Sequence, residues 1–223
     1  MGYTFHFGDI WANWEELLDG ALLTVELSAL AMVLSLGVAV VGALARTGGP
    51  RAVRWVVAAY VEVIRNTPFL VQVFVIFFGL PALGLRLGTF AAALIAMVLN
   101  GSAYTIEIVR AGIESIGTGQ SEAARALGLR PLQVFRLVVL PQALRAVVPP
   151  LGSQFILLML NSSVVSVISA DELTSAAQDI QGRLFRPFEA YIVALGIYFV
   201  LSSLFGGVFA VLERAAFGRR VVR

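Results

Sequence analysis

Several polar side chains interrupt long apolar stretches of this 223-residue chain, and their chemistry is that of hydrogen bonding to a polar solute. Five of them fall on three such stretches and offer both donors and acceptors: Thr67, Glu107, Asn161, Ser162 and Ser163. Pro68 follows Thr67, and a proline loosens local backbone hydrogen bonds, which frees a carbonyl or amide group to face water. These residues are therefore candidates for lining one polar pathway. The alternative is that the hydroxyl and amide groups serve helix packing.

The composition of the chain indicates that these side chains lie inside a membrane. Hydrophobic residues make up 59% of the sequence and charged residues only 13%. A soluble domain averages roughly 45 to 50% apolar and about 25% charged residues, so this chain cannot cover an aqueous surface. We therefore expect an integral membrane protein.

Five stretches contain no charged side chain, and each is close to the length that a helix needs to cross a bilayer. A hydrocarbon core of about 30 Å requires roughly 20 residues at 1.5 Å per residue. The stretches are 27–45, 66–85, 87–106, 146–170 and 190–212. The sequence therefore predicts an all-α integral membrane protein with five transmembrane helices.

The start of the second helix has two possible positions in the sequence. Residues 55–61 are also apolar, so the helix could begin near Arg54 and contain Glu62 and Arg65. It could equally begin after Arg65. The two alternatives differ by about a dozen residues, and the pattern alone leaves both open.

The arginines predict the orientation of the helices. All sixteen basic residues are arginine, and twelve of them lie in the loop after the first helix, in residues 110–145 and in the C-terminal tail. The opposite loops contain three. Basic residues near helix ends are retained on the cytoplasmic side, so we expect the N-terminus outside and the C-terminus inside. The chain is then one transmembrane domain over residues 1–223, with an N-terminal tail at 1–19 and a cytoplasmic connection at about 111–145.

Ionisable side chains inside the spans need partners, because a charge at the bilayer centre costs about 2.5 to 3.5 kcal/mol. Glu62 and Arg65 are three residues apart on a helix, and we expect them to form a structural ion pair. Glu107 and Arg110 have the same spacing, so an ion pair is one interpretation of Glu107 and the polar pathway is the other.

The residue types also exclude several kinds of chemistry. The chain has no cysteine and a single histidine, His6, and it contains no lysine. Without lysine there is no Walker A loop and no Schiff-base site, and without cysteine there is no disulfide or iron–sulfur ligation. We expect no metal site, no cofactor and no enzymatic activity. We also expect no nucleic-acid partner, since the cytoplasmic loops of a membrane protein account for the arginines.

The cytoplasmic connection is predicted to form a helix–turn–helix. Ser121 is a plausible N-cap for a first short helix that ends at Gly128, where a glycine can adopt the left-handed conformation. Pro131 then opens a second short helix, and Pro141 is expected to end it. On spacing alone, this hairpin either connects two spans or presents a surface to another protein.

Glu122-Ala123-Ala124, then Gly128, then Val138-Val139-Leu140-Pro141 follow a recognisable order. With these residues the chain resembles the EAA loop of ABC-transporter permease subunits, in the importers that depend on a binding protein. Further segments resemble the polar amino acid uptake type, at residues 24–28, 62–68, 103–112, 119–124 and 161–166. The similarity covers about residues 20–215.

The resemblance implies a set of partners in a bacterial cytoplasmic (inner) membrane. They are two ABC ATPase subunits, a second permease copy or a homologous permease, an extracytoplasmic substrate-binding protein, and an amino acid substrate within the lipid bilayer. It also implies that the residues contacting the ATPase are Gln120, Glu122, Ala123, Ala124, Gly128 and Pro141. Their expected role is mechanical contact, which lets nucleotide-driven closure of the ATPases switch the access of the permease.

One departure and one rival interpretation accompany this resemblance. Many relatives have a lysine and an aspartate before a Thr-Ser pair in the fourth span, where this chain has Leu160 and Asn161. The substrate side-chain class is therefore left open. The rival is a gradient-coupled secondary transporter of small polar solutes, which would use Glu107 for ion coupling and would need no ATPase-docking loop.

Overall fold

The structure, a computed structural model, describes residues 3–218. Over that range the chain contains helices and no strand, and contiguous helical segments are numbered here as one helix. They are α1 (Phe7–Trp11), α2 (Trp14–Gly48), α3 (Arg51–Arg65), α4 (Phe69–Ala82), α5 (Thr89–Glu114), α6 (Thr118–Ala126), α7 (Pro131–Ile168), α8 (Leu173–Leu184) and α9 (Pro187–Phe217).

Four of these helices are each long and apolar enough to cross a membrane. Helices α2, α5, α7 and α9 contain 35, 26, 38 and 31 residues. Helices α3 and α4 meet at 109° and form a fifth span only as a bent pair. The predicted all-α membrane architecture is confirmed, and its second span is a broken helix.

The break between α3 and α4 explains why the start of this span was ambiguous in the sequence. Helix α3 begins at Arg51, before either predicted start, and contains both Glu62 and Arg65. Pro68 then disfavours helical geometry at Thr67 and adopts an extended conformation itself, with φ −62° and ψ 136°. Two short helices therefore replace one long span.

Helix α7 continues through Pro141, so the prediction that this proline ends a helix is wrong. The span begins at Pro131, well before the predicted start at residue 146. A proline inside a helix clashes with the preceding turn and leaves a carbonyl without a donor. Here the turn before it, Phe135–Val139, widens to π-helical geometry. Pro81 of α4 follows a π-helical turn at Val75–Gly79 in the same way.

Helices α2 and α5 pack closely because small residues line their contact. A Cβ atom on Gly42 would lie 2.6 Å from Cδ1 of Ile106, and one on Gly101 would lie 2.7 Å from Oγ of Ser35. Membrane helices approach each other closely where such residues meet. These contacts place the last turns of α2 and α5 together at one end of the bundle, which is called the hairpin end below because α6 follows α5 there.

The opposite end of the bundle contains two fully buried carboxylates, each bound by a tyrosine. Glu172 precedes α8 and accepts hydrogen bonds from the Tyr198 hydroxyl (2.5 Å) and the Ser175 amide (2.9 Å). Burial raises the pKa of Glu172 although these donors oppose the rise. Glu189, at the start of α9, accepts a hydrogen bond from the hydroxyl of Tyr3. These bonds fasten α8 and the N-terminal segment onto α9.

Candidate coupling hairpin and polar clusters

A short surface helix, α6, leads into a tight turn at the hairpin end. The helix begins at Thr118, and Gly117 before it is extended, with φ −55° and ψ 139°. Ser121 was predicted as the N-cap, but it lies one turn inside the helix, so that prediction is wrong. The extended backbone at Gly117 starts the helix four residues earlier than the capping pattern indicated.

The turn after α6 is closed by Gly128 in the left-handed conformation, as predicted, with φ +84°. The Gly128 amide donates to the carbonyl of Arg125 (2.9 Å), and the Leu129 amide donates to the carbonyl of Ala124 (3.2 Å). These two bonds form a Schellman motif, which satisfies the last carbonyls of the helix. Pro131 then starts α7, where a missing amide proton costs nothing.

The predicted coupling residues do not all lie on one surface. Gln120, Glu122 and Ala123 are exposed on α6, and Gly128 is exposed at the turn. Ala124 is only 5% exposed and faces the underlying protein. Pro141 is exposed, but it lies ten residues into α7 and not on the hairpin. Four of the six residues are thus accessible on the hairpin.

Two leucines beside the turn were missed by the sequence reading. Leu127 is 84% exposed and Leu132 is 76% exposed, and they flank the Gly128 turn. Only their positions in the sequence could have indicated them, because Leu127 directly precedes Gly128 and Leu132 directly follows Pro131. Large exposed apolar side chains beside exposed polar ones are typical of a protein docking surface.

Glu107 binds two arginines at the hairpin end. Its Oε1 accepts a hydrogen bond from Arg46 of α2, and its Oε2 accepts from Arg110 at 2.8 and 3.0 Å. Arg110 also pairs with Glu114. The expected pair with Arg110 is present. The pair with Arg46 was not predicted, because Arg46 is far from Glu107 in the sequence and nothing there indicates that α2 contacts α5.

The predicted ion pair between Glu62 and Arg65 is absent from residues 3–218. Glu62 accepts a hydrogen bond from the side-chain amide of Asn66 at 2.9 Å. The Arg65 guanidinium lies over the ring of Tyr104, 5.3 Å from its centroid. Tyr104 belongs to α5, and a contact between two helices has replaced the local pair that spacing suggested.

Thr67 belongs to a hydrogen-bonded cluster at the break between α3 and α4. Its hydroxyl accepts from the Gln72 amide nitrogen at 2.9 Å, and the same nitrogen donates to the carbonyl of Ile64 at 2.8 Å. The Gln72 oxygen accepts from Asn100 of α5 at 3.0 Å. Gln72 and Asn100 are both buried, and their sequence signal is an amide side chain inside an apolar stretch.

Asn161, Ser162 and Ser163 lie where α7 tightens to 3₁₀ geometry, at Ser162–Ile168. The Ser162 hydroxyl is buried and donates to the Met159 carbonyl at 2.6 Å, and Ser163 donates to the Leu160 carbonyl at 2.8 Å. This segment packs against α4, which begins directly after Thr67 and Pro68.

Glu107 lies apart from these residues. Met97 of α5 belongs to the same apolar core as Val165 of the 3₁₀ segment. Glu107 is ten residues further along α5, which corresponds to roughly 15 Å. The structure therefore separates Glu107 from the Asn161–Ser163 group.

The described side chains offer hydrogen bonding, ion pairing and apolar contact. Within residues 3–218, no three His, Asp or Glu side chains are close enough together to hold a metal ion. The hairpin has the features of a docking surface, and the Thr67–Gln72–Asn100 cluster has polar groups at the depth of the spans.

Comparison with known proteins adds a family to this geometry. Residues 31–218 match the family described as binding-protein-dependent transport system inner membrane component. The match includes every helix from within α2 to the end of α9.

Individual relatives agree with the family match over nearly the whole chain. The L-cystine transport system permease protein TcyB of Bacillus subtilis (strain 168) is 40% identical over 202 residues, which is 90% of this chain and 86% of that protein. The glutamine transport system permease protein GlnP of Escherichia coli (strain K12) is 36% identical over 94% of this chain and 97% of its own length. The crystal structure of an amino acid ABC transporter with histidines contains a chain that superposes with a TM-score of 0.90 at 36% identity, covering 96% of this chain and 100% of that one.

Proposed function

Because the chain belongs to the family of binding-protein-dependent transport system inner membrane components, we propose that it is the membrane-spanning permease subunit of an ATP-driven importer of polar amino acids. The substrate class follows from the relatives, which are named for cystine and glutamine. A zwitterionic amino acid needs acceptors for its ammonium group and donors for its carboxylate, and buried amide and hydroxyl side chains supply both.

The observation on which the proposal rests most is the exposed turn between α6 and α7. This chain has no lysine for a nucleotide-binding loop, so the energy of ATP must reach it through contact with another subunit. The hairpin offers such a contact, because Gln120, Glu122, Leu127 and Leu132 are all exposed on it. In this proposal, two ATPase subunits bind the hairpins of two permease chains.

The remaining partners and the orientation belong to the same proposal. In this proposal the hairpin end lies in the cytoplasm, with the N-terminus outside and the C-terminus inside, and the arginine distribution supports this orientation. A substrate-binding protein then delivers the amino acid to the opposite end, where α8 and the start of α9 lie. Movement of the hairpins with the ATPases switches access between the two sides.

The polar pathway is proposed to follow the Thr67–Gln72–Asn100 cluster and the Asn161–Ser163 segment. Both lie against α4, at the depth of the spans. Glu107 contributes at most to the charge at the cytoplasmic end of this pathway, because its carboxylate is already bound by Arg46 and Arg110.

The alternative function is a gradient-coupled carrier. Transport assays in proteoliposomes distinguish it from the ATP-driven importer. Vesicles with the permease, its ATPase and its binding protein should accumulate amino acid only when ATP is supplied. Vesicles with the permease alone should not accumulate it under a proton or sodium gradient. Accumulation by the permease alone would contradict the proposal.

Coupling through the hairpin is tested by retention of the ATPase during purification of the membrane-inserted complex. Gly128→Asp and Glu122→Arg should each abolish retention while the permease still inserts. Gly84 is the matched control for Gly128, because it has φ +86° and open space around it at the opposite end. Gly84→Asp and the exposed-residue control Glu15→Arg should retain the ATPase. Full retention by both hairpin variants would remove the coupling role.

A further inference from the structure

An apolar groove runs between α2 and α3 and begins at the hairpin end. Its walls include Gly37, Val41 and Gly42 of α2 and Val53 and Val57 of α3, and it encloses about 540 Å³. The groove is open along one side. In a bilayer, such an opening faces lipid and not water.

The groove exists because glycines face valines across it. A Cβ on Gly37 would meet nothing within 4 Å, so the wall of α2 is recessed there. At Gly42 the close approach of Ile106 fixes the floor of the groove. The depression is thus set by the sequence of α2.

Two arginines without partners flank the start of the groove. Arg51 and Arg54 begin α3, one turn apart, and the groove-lining Val53 lies between them. Both side chains are exposed, and within residues 3–218 neither guanidinium group makes a hydrogen bond or an ion pair. Arg46 nearby differs, because its guanidinium is bound by Glu107.

An aromatic side chain marks the same level. Trp55 follows Arg54 directly and is 71% exposed. Tryptophan is enriched where the hydrocarbon core meets the lipid headgroups. This position places Arg51 and Arg54 at headgroup depth and the groove at the depth of the acyl chains.

We propose that this groove is a binding site for an anionic phospholipid, with an acyl chain between α2 and α3 and the phosphate on Arg51 and Arg54. Arginine binds phosphate oxygens through paired N–H donors, and basic residues at the membrane surface attract anionic lipids. A free phosphate would leave the apolar groove unfilled. The proposal requires only that the chain lies in a bilayer, so it is independent of the proposed amino acid import.

The headgroup contact is tested by native mass spectrometry of the purified full-length permease. The protein is released from nanodiscs that contain equal amounts of phosphatidylglycerol and phosphatidylcholine with identical acyl chains. The wild type should retain phosphatidylglycerol preferentially. The double variant Arg51→Gln/Arg54→Gln should retain on the order of tenfold less phosphatidylglycerol. Each arginine at the membrane surface strengthens the binding of an anionic lipid, and salt weakens that contribution by screening. The matched control Arg125→Gln/Arg145→Gln removes two other exposed arginines and should behave as the wild type.

The acyl-chain contact is tested by filling the groove without changing its charge. Gly37→Phe should reduce phosphatidylglycerol retention several-fold. Gly196→Phe is the matched control, because Gly196 also has no neighbour within 4 Å but lines a different groove, between α2 and α9. That control should keep the wild-type retention.

Three results would each overturn the proposal. The first is equal phosphatidylglycerol retention by the wild type and Arg51→Gln/Arg54→Gln. The second is full displacement of the lipid by glycerophosphoglycerol or inorganic phosphate, which would identify a phosphate site without a lipid site. The third is a permease dimer that Gly37→Phe dissociates, which would assign the groove to a second copy.

Discussion

Arg46 in the last turn of α2 donates a hydrogen bond to Glu107 of α5, so an ion pair joins the two most closely packed helices at the hairpin end. The same carboxylate binds Arg110 through its other oxygen. Helix α5 ends at Glu114, and α6 begins at Thr118. The ion pair therefore fixes the base from which the hairpin projects.

Glu107→Gln is expected to lower the free energy of unfolding of the purified permease by about 1 to 3 kcal/mol. The Glu107 side chain is only 17% exposed, and its removal leaves Arg46 and Arg110 without a shared negative charge. Denaturant unfolding in detergent micelles, followed by tryptophan fluorescence, measures the change.

Glu114→Gln is the matched control, because Glu114 also pairs with Arg110 but its side chain is 55% exposed. An exposed pair contributes little, so the control should change the free energy of unfolding by less than about 0.5 kcal/mol. Equal effects of the two substitutions would show that Glu107 does not hold the helices together.

The sequence was sufficient for those features that depend on local geometry or on composition. Charge-free stretches identified four spans and the second half of the bent one. Gly128 was identified as a left-handed turn residue because only neighbouring backbone atoms determine that conformation. Pro141 failed as a helix terminator, because a widened turn before it absorbs the steric clash. A proline predicts local strain, but the surrounding packing decides whether the helix ends.

Side-chain partners were the least predictable part of the candidate site. Spacing paired Glu62 with Arg65, but Asn66 and the ring of Tyr104 are the partners that the fold provides. Arg46 was overlooked for Glu107 for the same reason, since the two positions meet only when α2 and α5 pack. Contacts between helices depend on tertiary structure, which helical spacing does not report.

Gly112→Ala should destabilise the packing of α5 on α7. A Cβ at position 112 would clash with Cγ2 of Val147, so the Val147 side chain or one of the helices must shift. Overpacking of this kind costs about 1 to 3 kcal/mol of unfolding free energy. The same denaturant assay measures it, and Gly207→Ala is the control because Gly207 has open space around it.

A compensating substitution tests the cause of that loss. Val147→Ala removes the clashing methyl group, so the double variant Gly112→Ala/Val147→Ala should be less destabilised than the sum of the two single variants. Simple additivity would mean that the contact with Val147 is not the reason why glycine is needed.

Gln72→Leu should destabilise the break between α3 and α4 by about 1 to 3 kcal/mol of unfolding free energy. The change removes the donor to the Ile64 carbonyl and leaves the buried amide of Asn100 without its acceptor. Gln154→Leu provides the control, because Gln154 lies in a span and its side chain makes no hydrogen bond within residues 3–218.

A second substitution separates the two contributions in this cluster. Adding Asn100→Leu to Gln72→Leu removes the unpaired amide, so part of the lost stability should return. A double variant that is less stable than Gln72→Leu would show that Asn100 has partners other than Gln72 that matter more.

Glu172→Gln is expected to change the pH dependence of stability. Burial raises the pKa of Glu172 above its ordinary value of 4.5, so the folded state retains the proton to a higher pH than the unfolded state does. The contribution of this proton to the stability of the folded state is fully present below pH 4.5. It is lost as the pH rises through the raised pKa of Glu172. The wild type should therefore lose stability relative to Glu172→Gln as the pH rises from about 4 to 8.

Tyr198→Phe tests the same carboxyl from its other side. The Tyr198 hydroxyl donates to Oε2 of Glu172 at 2.5 Å and favours the ionised form, so its removal should raise the pKa of Glu172 further. As the pH rises, Tyr198→Phe should therefore lose more stability relative to Tyr198→Phe/Glu172→Gln than the wild type loses relative to Glu172→Gln. Thermal unfolding of the four proteins at each pH measures both differences. Parallel pH profiles for all four would show that the proton on Glu172 has no influence on the stability of the fold.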